Sequence, residues 1–238
     1  MSSSITEAII LAGGLGTRLR SAIPNLPKCM APVNGIPFIA YVITHFRKQG
    51  IQNFIFALGY KSEAFESCLQ TMLPANNYRL SIENEPLGTG GAIRLACSKA
   101  GEKDVLIANG DTLFRIKIQN ISTLHYQQKA HCTLALKPMK AFSRYGRVEL
   151  NKDLSVQSFK EKQYFAEGLI NGGVYALNVP AFMHKQLPEK FSFEKDYLER
   201  FYKEGKIFGV TEDAYFIDIG IPEDYERARV ELSPHSGQ

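Results

Sequence analysis

Tryptophan is absent from the 238 residues, and cysteine occurs four times, at Cys29, Cys68, Cys97 and Cys132. These thiols lie far apart, without a C-x-x-C pair and without a histidine at metal-ligand spacing, which excludes a zinc-finger-type site and a disulfide scaffold. No apolar stretch approaches the ~18 residues of a membrane span, and Met1-Ser-Ser-Ser-Ile-Thr-Glu7 lacks the basic and apolar regions of a leader. Reduced thiols in a cytoplasmic protein with no membrane partner are therefore expected. Blocks of five like charges are also missing, which argues against a nucleic-acid partner, whereas the modest net charge of +4 suits small anionic substrates. Neither a Ser-His-Asp nor a Cys-His constellation can be assembled around any motif, so covalent catalysis by a protein nucleophile is not indicated.

What is present is a hydrophobic fraction of 45%, ordinary for a full-sized core. The chain is organised around Ala8-Ile-Ile-Leu-Ala-Gly-Gly-Leu-Gly-Thr-Arg-Leu-Arg20, an apolar run that breaks into a glycine-rich loop carrying arginine. Such a run, followed by βα patterning, predicts a buried central strand with the loop at its carboxyl end, where open α/β sheets bind ligands. A bare Gly-Gly-x-Gly is more often a tight turn than an anion cradle. A dinucleotide fingerprint would need glycine where Leu19 stands, which opposes a nicotinamide-dependent oxidoreductase, and a Walker A loop would need G-K-[ST] at Gly16-Thr17-Arg18.

The longer pattern is specific. Gly13-Gly-Leu-Gly-Thr-Arg-Leu19, then Leu26-Pro-Lys-Cys-Met-Ala-Pro-Val33 and Gly35-Ile-Pro37, resembles the signature of the sugar-1-phosphate nucleotidyltransferases, with Arg20-Ser21 where many members carry proline. The resemblance implies a Rossmann-like, GT-A-like nucleotidyltransferase fold. It also implies a nucleotide site at Leu11, Ala12, Gly13, Gly14, Gly16, Thr17 and Arg18, with Arg18 and Lys28 on the phosphates as catalytic cations.

Downstream, helical spacing predicts a helix over Phe38–Gln49, whose His45 reads as a packed residue, and a helix over Ser62–Thr71. Strands are expected at Asn53–Leu58 and Tyr78–Glu83. Alternating strands and helices predict an α/β, doubly wound, mostly parallel sheet. Glu83-Asn-Glu-Pro-Leu-Gly-Thr-Gly-Gly-Ala-Ile-Arg94 reads on its own as a βα connection. By the resemblance, this segment lies against the base, with Glu85, Leu87, Gly88 and Thr89 beside the nucleotide. Asp104-Val-Leu-Ile-Ala-Asn-Gly-Asp111 is a further strand ending in a carboxylate. An aspartate at that place is more commonly an N-cap or turn residue, and it can also hold a hard cation, since Mg²⁺ takes one or two carboxylates plus substrate phosphates. The resemblance makes Asp111 a catalytic metal ligand and adds Asn109 and Gly110 to the nucleotide site.

A strand is expected at His131–Lys137, after which Tyr145–Leu150 and Val156–Lys160 alternate about Asn151 as a hairpin does. This predicts a small antiparallel subdomain covering one side of the cleft, which the resemblance makes the sugar side. One domain over 1–238 is expected, with a nucleotide-binding half to about 137 and a sugar-phosphate-binding half over about 138–232. Taken alone, Glu161-Lys162 is a solvated surface pair. The resemblance of Tyr145-Gly146, Phe159-Lys-Glu-Lys162 and Asn171-Gly-Gly-Val-Tyr175 to family motifs implies a sugar-phosphate site of Gly146, Glu161, Lys162, Asn171 and Gly172. Phe193–Tyr202 is expected to be helical, and Lys206–Val210 a strand. Asp218-Ile-Gly-Ile-Pro-Glu-Asp-Tyr225 is a clean helix start and also resembles the family's closing motif, which makes Asp218 the second metal ligand.

The implied reaction joins a nucleoside triphosphate to a sugar 1-phosphate, releasing pyrophosphate, with Mg²⁺ or another divalent cation as cofactor. The chain's wording is most similar to the guanylyltransferases that act on D-glycero-α-D-manno-heptose 1-phosphate, which favours GTP. Mannose 1-phosphate guanylyltransferases and glucose 1-phosphate thymidylyl- or uridylyltransferases share nearly the same motifs. A non-catalytic regulatory subunit is opposed by the presence of Arg18, Lys28 and both aspartates. A homodimer is compatible with this reading.

Overall fold

A computed structural model describes residues 4–13, 27–59 and 63–232. Strand β1 (Glu7–Leu11) leads to a short ribbon of β2 (Pro32–Val33) and β3 (Ile36–Pro37), turned by Asn34 and Gly35 at positive φ. Helix α1 (Phe38–Lys48), strand β4 (Asn53–Leu58), helix α2 (Glu63–Met72) and strand β5 (Tyr78–Ile82) follow. Next come α3 (Gly88–Cys97), β6 (Asp104–Asn109), β7 (Thr112–Phe114) and α4 (Ile118–Gln127). The second half contains β8 (Cys132–Phe142), β9 (Arg147–Leu150), β10 (Val156–Lys160), β11 (Phe165–Asn178) and α5 (Val179–Met183). A π-helical turn (Phe193–Leu198) runs through α6 (Glu199–Phe201), and β12 (Ile207–Thr211), β13 (Phe216–Asp218) and α7 (Pro222–Glu231) complete the chain.

Strands β6, β1, β4 and β5 form a parallel segment in that order, as the alternation of strands and helices predicts. Ile9, Ile55 and Ile107 face the layer that contains Ala92, Ile93 and Ala96 of α3, whereas Ile10, Phe54 and Phe56 face the opposite layer with Phe38 and Val42 of α1. Covering both faces explains why these strands read as continuous apolar runs. Burial of each such side chain contributes about 1.5–3 kcal/mol.

The antiparallel part extends the same sheet. β11 pairs antiparallel with β6 through Val174–Asn178, with β8 along its length, and with β9 at Leu169 and Ile170. The expected hairpin is there: β9 pairs antiparallel with β10. β12 runs parallel to β8.

His45 is a packed residue, as its place on the helical stripe suggests. Its Nε2 lies 3.1 Å from Ile116 O and 2.8 Å from Gln49 Nε2, and burial pushes the imidazole below its ordinary range. The folded state therefore binds the proton less readily than the unfolded chain, so His45 costs stability as pH falls below the unfolded value of about 6.5. Thermal melts are expected to show a smaller loss between pH 7.5 and pH 5.5 for His45→Gln than for the wild type.

Candidate active site

The two aspartates, far apart in sequence, meet through a two-stranded ribbon. β7 and β13 pair antiparallel with Thr112 opposite Asp218, and the Ile219 N–H donates to the Asp111 carbonyl at 3.0 Å. Asp218 is oriented by the Gly220 N–H on Oδ1 at 2.8 Å and by the Tyr145 hydroxyl on Oδ2 at 3.3 Å. Burial, then the Asp218 charge, push the Asp111 carboxyl above its usual range, while Lys28 Nζ at 3.8 Å pulls the other way. Two like charges with one lysine nearby form a site that a divalent cation would relieve. No group of three metal-ligating side chains occurs among the described residues.

On one side of this pair, a cleft of about 510 Å³ is lined by Leu11, Ala12, Gly13, Lys28, Glu83, Glu85, Gly88, Thr89, Asn109 and Asp111. Its floor is the carboxyl end of β1, where Ala12 N–H donates to Ala57 O and Gly110 N–H to Leu11 O. A Cβ on Gly13 would lie 2.7 Å from Gly59 N, so the close approach of these two backbones requires glycine. Gly14, Gly16, Thr17 and Arg18 lie outside the described residues.

Glu83 is half-buried and accepts the Leu87 N–H on Oε2 at 2.8 Å, whereas Glu85 is exposed. Leu87 does not line the cleft, and its carbonyl accepts the Phe191 N–H at 3.0 Å. Gly88 lines the cleft but also lets the chain pass Phe191: its φ is +74° and a Cβ would lie 2.6 Å from Phe191 O.

A second cavity of about 410 Å³ adjoins the first and includes Asp218, Gly146, Glu161, Lys162, Asn171 and Gly172. Every residue expected on the sugar side is therefore gathered there. Glu161 and Lys162 are exposed on its rim. Asn171 is already engaged: Nδ2 donates to the Tyr175 hydroxyl at 2.8 Å and Oδ1 accepts the Gly173 N–H at 3.1 Å, holding a bulge in β11. A Cβ on Gly172 would lie 2.4 Å from the Phe114 ring. Asn109 and Glu194 line both cavities. In the sequence Tyr145 is marked only as the neighbour of Gly146, and Glu194 only as part of the helical Phe193–Tyr202 segment. The signal in each case is a polar side chain beside a motif glycine or a helix cap.

The chain matches the Nucleotidyl transferase family model over residues 7–234. It is 51% identical over 226 residues, 95% of this chain and 98% of the relative, to the D-glycero-alpha-D-manno-heptose 1-phosphate guanylyltransferase of Aneurinibacillus thermoaerophilus. The protein of that name from Campylobacter jejuni is 45% identical, over 92% of this chain and 96% of the relative. The crystal structure of HddC from Yersinia pseudotuberculosis matches with a TM-score of 0.85 at 35% identity, covering 96% of this chain and 100% of that one. The same protein complexed with GMP-PN matches with a TM-score of 0.83 at 34% identity over the same shares. A family match over nearly the whole chain thus coincides with two adjoining cavities that meet at paired aspartates, and the chain belongs to the nucleotidyl transferase family.

Proposed function

We propose that this enzyme transfers GMP from GTP to D-glycero-α-D-manno-heptose 1-phosphate, giving a GDP-heptose and pyrophosphate in the cytoplasm. The observation that carries the reading is the placement of Asp111 in one cavity and Asp218 in its neighbour, with Thr112 paired opposite Asp218. The 51% identity to a heptose 1-phosphate guanylyltransferase supports the choice of substrates.

The oxygen of the sugar phosphate is already anionic, so in-line attack on the α-phosphorus requires no protein nucleophile or general base. Positioning and charge neutralisation suffice. Asp111 and Asp218 would hold Mg²⁺, which would neutralise phosphate charge and orient the reacting oxygens. Lys28 stands beside Asp111, where its charge would serve the phosphates of the nucleotide, together with Arg18 of the glycine-rich loop. Lys162 would hold the phosphate of the sugar, with Glu161 on the same rim for hydroxyls.

Guanine offers N1–H and N2–H₂ donors, so its pocket needs an acceptor. Glu83 and Glu85 both line the nucleotide cleft, and Glu83 is the anchored one. An unpaired buried acceptor costs about 1–3 kcal/mol, or roughly one to two decades of discrimination against the wrong base. A pyrophosphate-release assay with GTP, ATP, UTP and dTTP against heptose, mannose and glucose 1-phosphates tests the reading. GTP with the heptose phosphate is expected to be preferred, and better use of dTTP or UTP with glucose 1-phosphate would overturn it. Glu83→Gln can keep the brace to Leu87 while presenting an N–H₂, so it is expected to erode the GTP preference by one to two decades, and Glu85→Gln by less.

Lys162→Ala removes a charge-assisted contact. Calorimetry is expected to show about tenfold weaker sugar-phosphate binding, with nucleotide binding nearly unchanged. Equal loss for both ligands would remove Lys162 from the sugar-phosphate site.

A further inference from the structure

Tyr145 lies in the loop of residues 143–146 between β8 and β9 and lines the sugar-side cavity, yet its hydroxyl is committed to an aspartate: it donates to Asp218 Oδ2 at 3.3 Å. Burial, and then the Asp218 charge, push the phenol above its ordinary range, so the hydroxyl keeps its proton and is the donor of this bond. The other carboxylate oxygen, Oδ1, accepts the Gly220 N–H at 2.8 Å. One donor on each oxygen fixes the plane of the carboxylate, and each oxygen, with two lone-pair sites, retains one for a cation.

Tyr145 is itself held from two sides. Its ring meets the Phe216 ring of β13 edge-on, with centroids 6.0 Å apart, and the Arg144 guanidinium lies over it with Cζ 5.5 Å from the centroid. Arg144 Nη1 in turn donates to Asp224 Oδ2 in the first turn of α7. Asp224 is buried, and Arg227 meets its other oxygen, Oδ1, at 2.9 Å from within the same helix. Since Arg227 already answers the Asp224 charge locally, what Arg144 adds is a tie between the loop and the helix that begins just after Asp218. The contacts close a ring: Asp218 to Tyr145, Arg144 to Asp224, and back along the chain from 224 to 218. The next residue of the loop, Gly146, also lines the sugar-side cavity, and a Cβ there would lie 2.7 Å from Lys160 O, so the loop is pressed against β10.

We propose that Tyr145 is a positioning residue for a divalent cation: its hydroxyl aims the Asp218 carboxylate, and the Arg144–Asp224 pair holds Tyr145 in place to do so. The inference rests on the reading of Asp111 and Asp218 as the metal-holding pair. Hydrogen-bond partners of a ligating carboxylate typically carry about 10- to 100-fold in metal affinity, because an unheld carboxylate must be ordered when the ion binds. The same loop thereby serves the sugar side through Gly146 and the cation through Tyr145.

Electron paramagnetic resonance of Mn²⁺ added to the enzyme with a non-hydrolysable GTP analogue tests this. Tyr145→Phe removes the hydroxyl and keeps the ring on Phe216, so the Mn²⁺ dissociation constant is expected to rise about tenfold or more with the melting temperature unchanged. Arg144→Ala is expected to raise it by a smaller factor, and to add nothing in the Tyr145→Phe background, because Arg144 acts through that hydroxyl. The Mg²⁺ concentration that gives half-maximal turnover is expected to rise in parallel, with KM for the sugar 1-phosphate little changed. Wild-type Mn²⁺ affinity in Tyr145→Phe, where Asp218→Asn weakens it, would overturn the proposal and leave the aspartate pair as the metal site. A rise in the sugar KM with Mn²⁺ affinity unmoved would assign the hydroxyl to the sugar and also overturn it. Equal losses of Mn²⁺, nucleotide and sugar-phosphate binding with a lower melting temperature would make Tyr145 a brace of the fold, against the proposal. If Asp218→Asn itself leaves Mn²⁺ affinity unchanged, the metal reading of the aspartates fails and this inference falls with it.

Discussion

Asp111→Asn is expected to lower turnover by about three orders of magnitude while leaving the melting temperature unchanged or higher. The first half of this expectation follows from charge: an amide keeps the shape of the side chain but weakens its hold on a divalent cation and so removes neutralisation of the phosphates, a contribution worth several kcal/mol. The second half follows from the surroundings of the carboxylate. Burial and the Asp218 charge both disfavour ionisation of Asp111, and among the described residues Lys28, at 3.8 Å, is the cation paired with it. Neutralising the side chain removes that repulsion, so the fold loses nothing, as is usual where function places like charges together. The Asp111 carbonyl that accepts the Ile219 N–H belongs to the backbone and survives the substitution. Pyrophosphate release in excess Mg²⁺, paired with a thermal melt, separates the outcomes. Turnover near that of the wild type would remove Asp111 from the metal site.

The ribbon that joins the aspartates was the part of the site least legible in the sequence. β7 and β13 are each three residues long, too short for any periodicity to register, and their pairing spans more than a hundred residues. Asp111 and Asp218 could be singled out only because each follows an apolar run and falls in a family-like motif; that they would lie side by side needed the fold. By contrast, β4 could be read at Asn53–Leu58 to the residue, because burial on both faces makes it a continuous apolar run bounded by Gln52 and Gly59. The helix of Phe38–Lys48 was legible for the converse reason, an apolar stripe ended by Gly50 at positive φ. The hairpin about Asn151 showed its alternation, but its attachment to β11 did not, since β11 changes partners along its 14 residues and no local pattern encodes which neighbour it meets. Phe193–Tyr202 was expected to be helical, and it is, but as a π-helical turn that continues into one α-turn. Ser192 caps this run by accepting the Lys195 N–H. Leu87 illustrates a motif residue whose position near a site is legible and whose direction is not: the backbone turn at Gly88 sends it toward the segment around Phe191.

Gly172→Ala is expected to cost about a hundredfold in turnover, together with a stability loss of about 1–3 kcal/mol. Gly172 belongs to the Asn171-Gly-Gly motif and lines the sugar-side cavity, which makes it look like a residue that clears space for substrate. Its packing gives it a second role. A Cβ there would stand 2.4 Å from Phe114 Cδ1 and 3.1 Å from Ala135 O, and Phe114 is 1% exposed, so the ring has little room to retreat. Phe114 pairs with Phe216 across the β7–β13 ribbon and its ring meets the Phe216 ring edge-on at 5.7 Å. The Phe114–Phe216 pair is one end of a ribbon only three residues long, and Thr112 and Asp218 pair at the other end, so displacing the ring tilts the ribbon and a methyl group on the sugar side reaches the spacing of the two aspartates. Misplacement by about 1 Å at reacting groups can cost two decades in rate. Gly35→Ala provides the control for backbone effects alone: Gly35 has a φ of +78°, but a Cβ there meets no atom of the described residues within 4 Å, so it is expected to cost stability and leave turnover unchanged. If Gly172→Ala raises KM for the sugar phosphate but leaves kcat and the melting temperature as in the wild type, the glycine serves the substrate alone and the link through Phe114 to the aspartate pair is broken.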